Sequence, residues 1–191
     1  MNICRFTFLM TYPYNELEVV TLKIVTTQIG GLFQRITANN VESIEETARL
    51  LAQATIGEGR VIFAGFGEME VVHTAALYGA EPFTGATHFD TGMEIGTADR
   101  VWILTRTETD PEALELARQL ASRFIPFAAV ASGKSTDDNE LSNRASTYIS
   151  TGLTRGLLPS DDGERVLQPH ALAALFVYEA VKLAYDEMLS D

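Results

Sequence analysis

Three short apolar runs, each ending in a turn that leads toward a helix-like stretch, constrain the fold of this chain most. They are Arg60-Val61-Ile62-Phe63-Ala64, Asp99-Arg100-Val101-Trp102-Ile103-Leu104 and residues 126–131. Short apolar runs bounded by turn residues suit strands covered on both faces. The turns behind them are Gly65-Phe66-Gly67, Thr105-Arg106-Thr107 and Ser132-Gly133-Lys134-Ser135-Thr136. A helix is expected over 68–78 and another over 112–122, where Asp110 suits the N-cap and Pro111 the first helical position. Leu114, Ala117, Leu120 and Ala121 would form the buried face of the second. Alternating strands and helices predict a three-layer α/β/α sandwich around a five-stranded parallel sheet. Right-handed crossovers then set the C-terminal ends of the strands along one rim, where the three turns converge.

The remaining segments fill in around that frame. Residues 1–21 lack clean helical periodicity and contain Tyr12-Pro13-Tyr14. They read as a peripheral extension, with a strand or the product of an upstream start codon as alternatives, and one domain is expected over 22–191. Ile29, Leu32, Phe33 and Ile36 fall on one helical face. Asn39-Asn40 is expected to end that helix and cap a second, which carries Val41, Ile44, Ala48, Leu51 and Ala52 and stops at Gly57-Glu58-Gly59. Further expectations are strands over 86–89 and 146–150, a short helix over 140–145, a long loop over 151–168 and a final helix over 169–189. Residues 171–178 are apolar nearly all round, so they are buried on several sides or lie in a subunit contact.

Charge removes whole classes of partner. With 14 Lys and Arg against 26 Asp and Glu, the formal charge is −12. Nucleic acid and an anionic membrane surface both need a cationic surplus. The single cysteine, Cys4, allows no disulfide within the chain and no Cys/His zinc spacing, which fits a cytoplasmic location. The apolar runs are too short to span a bilayer, and the N-terminus is a poor signal peptide.

The turns hold the candidate chemistry. Gly65-x-Gly67 starts a dinucleotide fingerprint, but Glu70 stands at the third glycine. Residues 132–136 carry the tail of a P-loop, but its first glycine would be Ala128, inside a strand. Neither a cofactor nor a nucleotide is expected. Thr105 and Thr107 can offer hydroxyls to a phosphate, Arg106 charge, and the next helix start its N–H groups. The competing reading is a capping turn whose threonines satisfy local backbone. Glu108 and Glu68 would repel a phosphate; either could instead favour a helix dipole or act as a general base. His73, His88 and His170 share no metal-binding spacing and read as packing or surface residues, so no metal is expected.

This order of elements resembles a SIS (sugar isomerase) domain, a five-stranded parallel α/β sandwich that binds phosphosugars. Its motif runs Asp-x-x-x-x-x-Ser-x-Ser-Gly-x-Thr-x-Glu. Asp99, Thr105, Thr107 and Glu112 match its acids and first two hydroxyls, while Glu108 replaces its glycine and Asp110 its threonine. Met69 stands where the first loop usually has serine. More closely, the chain from Leu22 onward resembles a SIS-like domain-of-unknown-function family of Gram-positive bacteria. Leu22-Lys23-Ile24-Val25-Thr26-Thr27-Gln28, Ala48-Arg49-Leu50-Leu51-Ala52-Gln53-Ala54 and Pro159-Ser160-Asp161-Asp162-Gly163 carry that likeness. The resemblance implies flavodoxin-like topology, a homodimer, and a phosphorylated sugar or related carbohydrate as ligand. The ligand residues would be Gly65, Gly67, Glu68, Thr105, Arg106, Thr107, Ser132, Lys134 and Ser135. Two alternatives stand beside binding. One is aldose–ketose isomerisation with Glu68 as base and His170 behind it; the other is a regulatory protein with a decayed pocket.

Overall fold

The computed structural model describes residues 16–160 and 162–190. The rest of the expected N-terminal extension, residues 1–15 with Cys4 among them, lies outside the described residues; the chain is helical from Glu16. Helix α1 (Glu16–Ile56) leads into β1 (Val61–Gly65), a 3-10 turn (Gly67–Met69) and α2 (Glu70–Tyr78). Then follow β2 (Ala86–His88), β3 (Arg100–Leu104), α3 (Pro111–Ser122), β4 (Phe127–Ala131), α4 (Glu140–Arg144) and β5 (Thr147–Ser150). A two-residue ladder of β6 (Leu158–Pro159) and β7 (Arg165–Val166) precedes α5 (His170–Ser190).

Strands β1 to β5 form one parallel sheet in the order β2-β1-β3-β4-β5. That is the flavodoxin-like order. Side-chain alternation divides the core into two layers. Val61, Phe63, Trp102, Leu104, Ala128, Val130 and Ile149 face α1, α2 and α5. Ile62, Ala64, Val101, Ile103, Phe127, Ala129 and Ala131 face α3 and α4. Trp102 is fully buried, its ring 5.4 Å from Phe63 and 6.5 Å from Tyr178.

Two local expectations are corrected. The two N-terminal helices are one helix bent at Asn40, whose φ of −135° and ψ of 19° leave the helical region. The Asn40 amide nitrogen donates to Ile36 O at 2.7 Å and Ser150 O at 3.0 Å, while Ser150 N donates to Asn40 Oδ1 at 3.1 Å. One buried side chain thus satisfies the opened helix and pins the bend to the end of β5. The loop 151–168 contains the antiparallel β6–β7 pair. Within α5, Ala173, Ala174, Val177, Tyr178, Val181 and Tyr185 are buried by the chain itself, and Phe176 stacks on Phe33 of α1 at 4.4 Å.

Candidate functional site

The sheet register builds the rim. β1 and β3 end side by side at Gly65 and Leu104, and β4 and β5 at Ala131 and Ser150. Main-chain bonds extend the pairing into the turns. Phe66 N donates to Leu104 O, Thr105 N to Val130 O, Ser132 N to Arg106 O and Thr151 N to Ala131 O. Gly65 is required by close approach, since a Cβ there would lie 2.8 Å from Met69 O. Gly67 has a φ of +60°, which favours glycine. Both glycines therefore shape the turn itself.

Gly65, Gly67, Glu68, Thr105, Arg106, Thr107 and Ser132 meet on this rim. Thr105 is buried and its hydroxyl donates to Thr107 O at 3.3 Å. The Thr107 hydroxyl accepts from Thr109 Oγ1 at 3.4 Å. Ser132 is buried, and its carbonyl accepts from Ser150 Oγ at 3.2 Å. Arg106 Nε pairs with Glu68 Oε1 at 2.9 Å and joins the first loop to the second. Both partners are over a third exposed, so the pair contributes at most about 1 kcal/mol and opens readily.

Carboxylates occupy the anion-binding features. Asp110 Oδ1 accepts from Glu112 N and Ala113 N, both at 3.0 Å, so the α3 N-terminus is capped from within. The expected help from these N–H groups is already spent. The Glu108 carboxylate lies over Gly133, where a Cβ would meet its Cδ at 2.1 Å. Burial raises the Tyr148 hydroxyl to about 12; the Asn139 hydrogen bond opposes this and the Glu108 charge adds to it.

His170 opens α5 beside this cluster, 6% exposed, and α5 packs on the 3-10 turn carrying Glu68. Burial lowers its pKa below the usual imidazole value; the Glu68 charge opposes the shift and the Arg106 charge adds to it. At neutral pH the ring is therefore uncharged, as a proton acceptor must be. Its location was hidden in the sequence, because 100 residues separate it from the first turn; the usable signal is that a final helix starting after Pro169 returns to the rim.

Lys134 and Ser135 leave the rim. They line a cavity of about 540 Å³ together with Arg35, Asn39, Tyr148 and Gly152. Asp99, the acid at the start of the resembled motif, sits at the opposite edge of the sheet. There it accepts from Arg60 N, Nε and Nη2 and from Gly96 N. His73 and His88 meet with ring centroids 4.0 Å apart. Among the described residues, no group of three or more His, Cys, Asp or Glu is placed to hold a metal. Among the same residues, no helix is long and apolar enough to cross a membrane.

Residues 21–189 match a family model described as Domain of unknown function (DUF2529). The uncharacterized protein YwjG of Bacillus subtilis (strain 168) is 32% identical over 171 residues, covering 89% of this chain and 98% of that protein. A Bacteroides fragilis protein described as a candidate phosphosugar isomerase involved in capsule formation shares the fold with a TM-score of 0.68. It is 12% identical, over 91% of this chain and 92% of that one. Escherichia coli CFT073 c3406, solved in complex with a phosphosugar, has a TM-score of 0.70 at 14% identity, covering 92% of this chain and 93% of that one. These likenesses show the fold of SIS-domain proteins.

Proposed function

This chain belongs to the DUF2529 family, and from that premise we propose that it binds a phosphorylated sugar on the rim formed by Gly65 to Glu68, Thr105 to Thr107 and Ser132. The observation that carries the reading is the joining of three distant turns by main-chain hydrogen bonds around two threonine hydroxyls and one guanidinium. The phosphosugar complex of the Escherichia coli protein supports the ligand class. The phosphate would be held by the hydroxyls of Thr105 and Thr107 and by Arg106 once it releases Glu68. A homodimer and a cytoplasmic location belong to the same proposal.

Glu108 gives the reading a sharp test. Its carboxylate lies against the second and third turns and opposes an incoming anion. A like charge about 5 Å away in a partly exposed site costs on the order of 1 to 3 kcal/mol. Glu108→Gly should therefore tighten binding of a sugar phosphate by about tenfold in a calorimetric titration. Unchanged or weaker binding would contradict a phosphate at this turn.

The meeting of His170 with Glu68 favours a second reading, aldose–ketose isomerisation. One of the pair would take a proton from the carbon beside the sugar carbonyl, and the enediol would be reprotonated at the neighbouring carbon. Wild-type protein in deuterated water should then exchange the substrate's C2 proton, and Glu68→Gln should abolish the exchange. Binding without any exchange by the wild type would exclude this reading and leave the first.

A further inference from the structure

The bend in α1 opens a second polar cavity that the proposed sugar site does not use. It is the space of about 540 Å³ lined by Arg35, Lys134, Ser135, Tyr148 and their neighbours. A smaller one of about 390 Å³ adjoins it, sharing Arg35 and Gly152 and adding Arg155 and Arg165. No aspartate or glutamate lines either cavity. In a chain of net charge −12, this is a local reversal of sign.

The cations there are uncommitted. Among the described residues, Arg35, Lys134 and Arg155 form no ion pair, whereas Arg60, Arg106, Arg118, Arg144 and Lys182 do. Arg165 instead donates to the carbonyls of Gly156 and Leu157, which fixes the loop wall. The opposite wall is fixed by Asn40, buried and bonded in both directions to Ser150. Tyr148 is held by donating to Gly133 O and accepting from Asn139. Rigid polar walls bearing free, mobile cations suit a small polyanion, because little reorganisation is needed when it enters.

We propose that this paired cavity is a second ligand site, for a small metabolite carrying two negatively charged groups, phosphoryl or carboxylate, with Arg35 between them. Lys134 contacts the group in the larger cavity and Arg155 the group in the smaller. The site is independent of the rim, and the two can be tested apart.

Calorimetric titration of the full chain with inorganic pyrophosphate and with citrate tests it. At least one should bind, and the affinity should fall roughly tenfold or more in the Arg35→Gln/Lys134→Gln double variant, as expected for losing two close charges. Both residues are exposed, so the variant keeps its fold, which circular dichroism verifies. Amide resonances of Ser150 and Gly152 should move on binding, and Thr105→Val/Thr107→Ala should bind pyrophosphate or citrate as the wild type does. Failure of both probes to bind, equal affinity in the Arg35/Lys134 variant, or resonance shifts confined to Gly67 and Thr107 would overturn the proposal. Whichever probe binds more tightly identifies the anionic group.

Discussion

Replacing Asp99 with alanine should lower the unfolding free energy by about 3 kcal/mol, because it strips a buried carboxylate from a guanidinium and two backbone donors. For a domain of this size that is a fall in Tm of roughly 6–12 °C. Asp99 is 5% exposed and accepts four hydrogen bonds, three from Arg60 and one from Gly96. It fastens the start of β1 to the start of β3, the central pair of the sheet. Burial pushes its carboxyl pKa up, but the bonds from the Arg60 side chain, Gly96 N and Arg60 N outweigh burial and hold it at about 2. The depressed value sets the sign. The carboxylate's contribution is fully present above about pH 4 and is lost as the pH falls toward 2. Thermal melts of wild type and Asp99→Ala should therefore differ most above pH 4 and converge near pH 2. A constant difference across that window would mean that packing, not charge, carries the effect.

The second large effect is on binding. Thr105→Val together with Thr107→Ala should weaken a sugar phosphate by about 100-fold or more, since two hydrogen bonds to a charged group contribute roughly 1.5–3 kcal/mol each. Thr105 is already oriented, but its local bond to Thr107 O is long, at 3.3 Å. Rotating that hydroxyl exchanges a weak neutral bond for a charge-assisted one. Valine keeps the buried branch of Thr105, and Thr107 is exposed, so the double variant should keep its fold. Loss of binding with an unchanged melt is the expected pair of results. Retained affinity would remove Thr105 and Thr107 from the site.

How much of this was legible depended on how far each feature's cause lies along the chain. β1, β3 and β4 stood out as apolar runs because both faces of each are covered. The α3 cap at Asp110-Pro111 was legible because its partners are only two and three residues away. The continuity of α1 through Asn40 was not, because it depends on a bond to Ser150, 110 residues on. The β6–β7 ladder has two residues per strand, too few for any periodicity, and one of them is Pro159. Convergence of the three turns followed from topology alone. The Glu108 carboxylate over Gly133, the departure of Lys134 and Ser135 into another cavity, and the arrival of His170 are side-chain placements that no local pattern encodes. Asp99 shows the reverse hazard, since it matches a ligand-site motif yet serves the far edge of the sheet.

The most direct test of a phosphosugar site is a thermal-shift screen of sugar phosphates, amino-sugar phosphates and their unphosphorylated counterparts against the full chain. A ligand at about a hundred times its Kd adds roughly 2.7 kcal/mol of stability. The account predicts that at least one phosphorylated sugar raises the Tm, that its unphosphorylated counterpart does not, and that the shift disappears in Thr105→Val/Thr107→Ala. A well-folded sample that no member of the panel stabilises, or a hit that persists undiminished in the double variant, would contradict it.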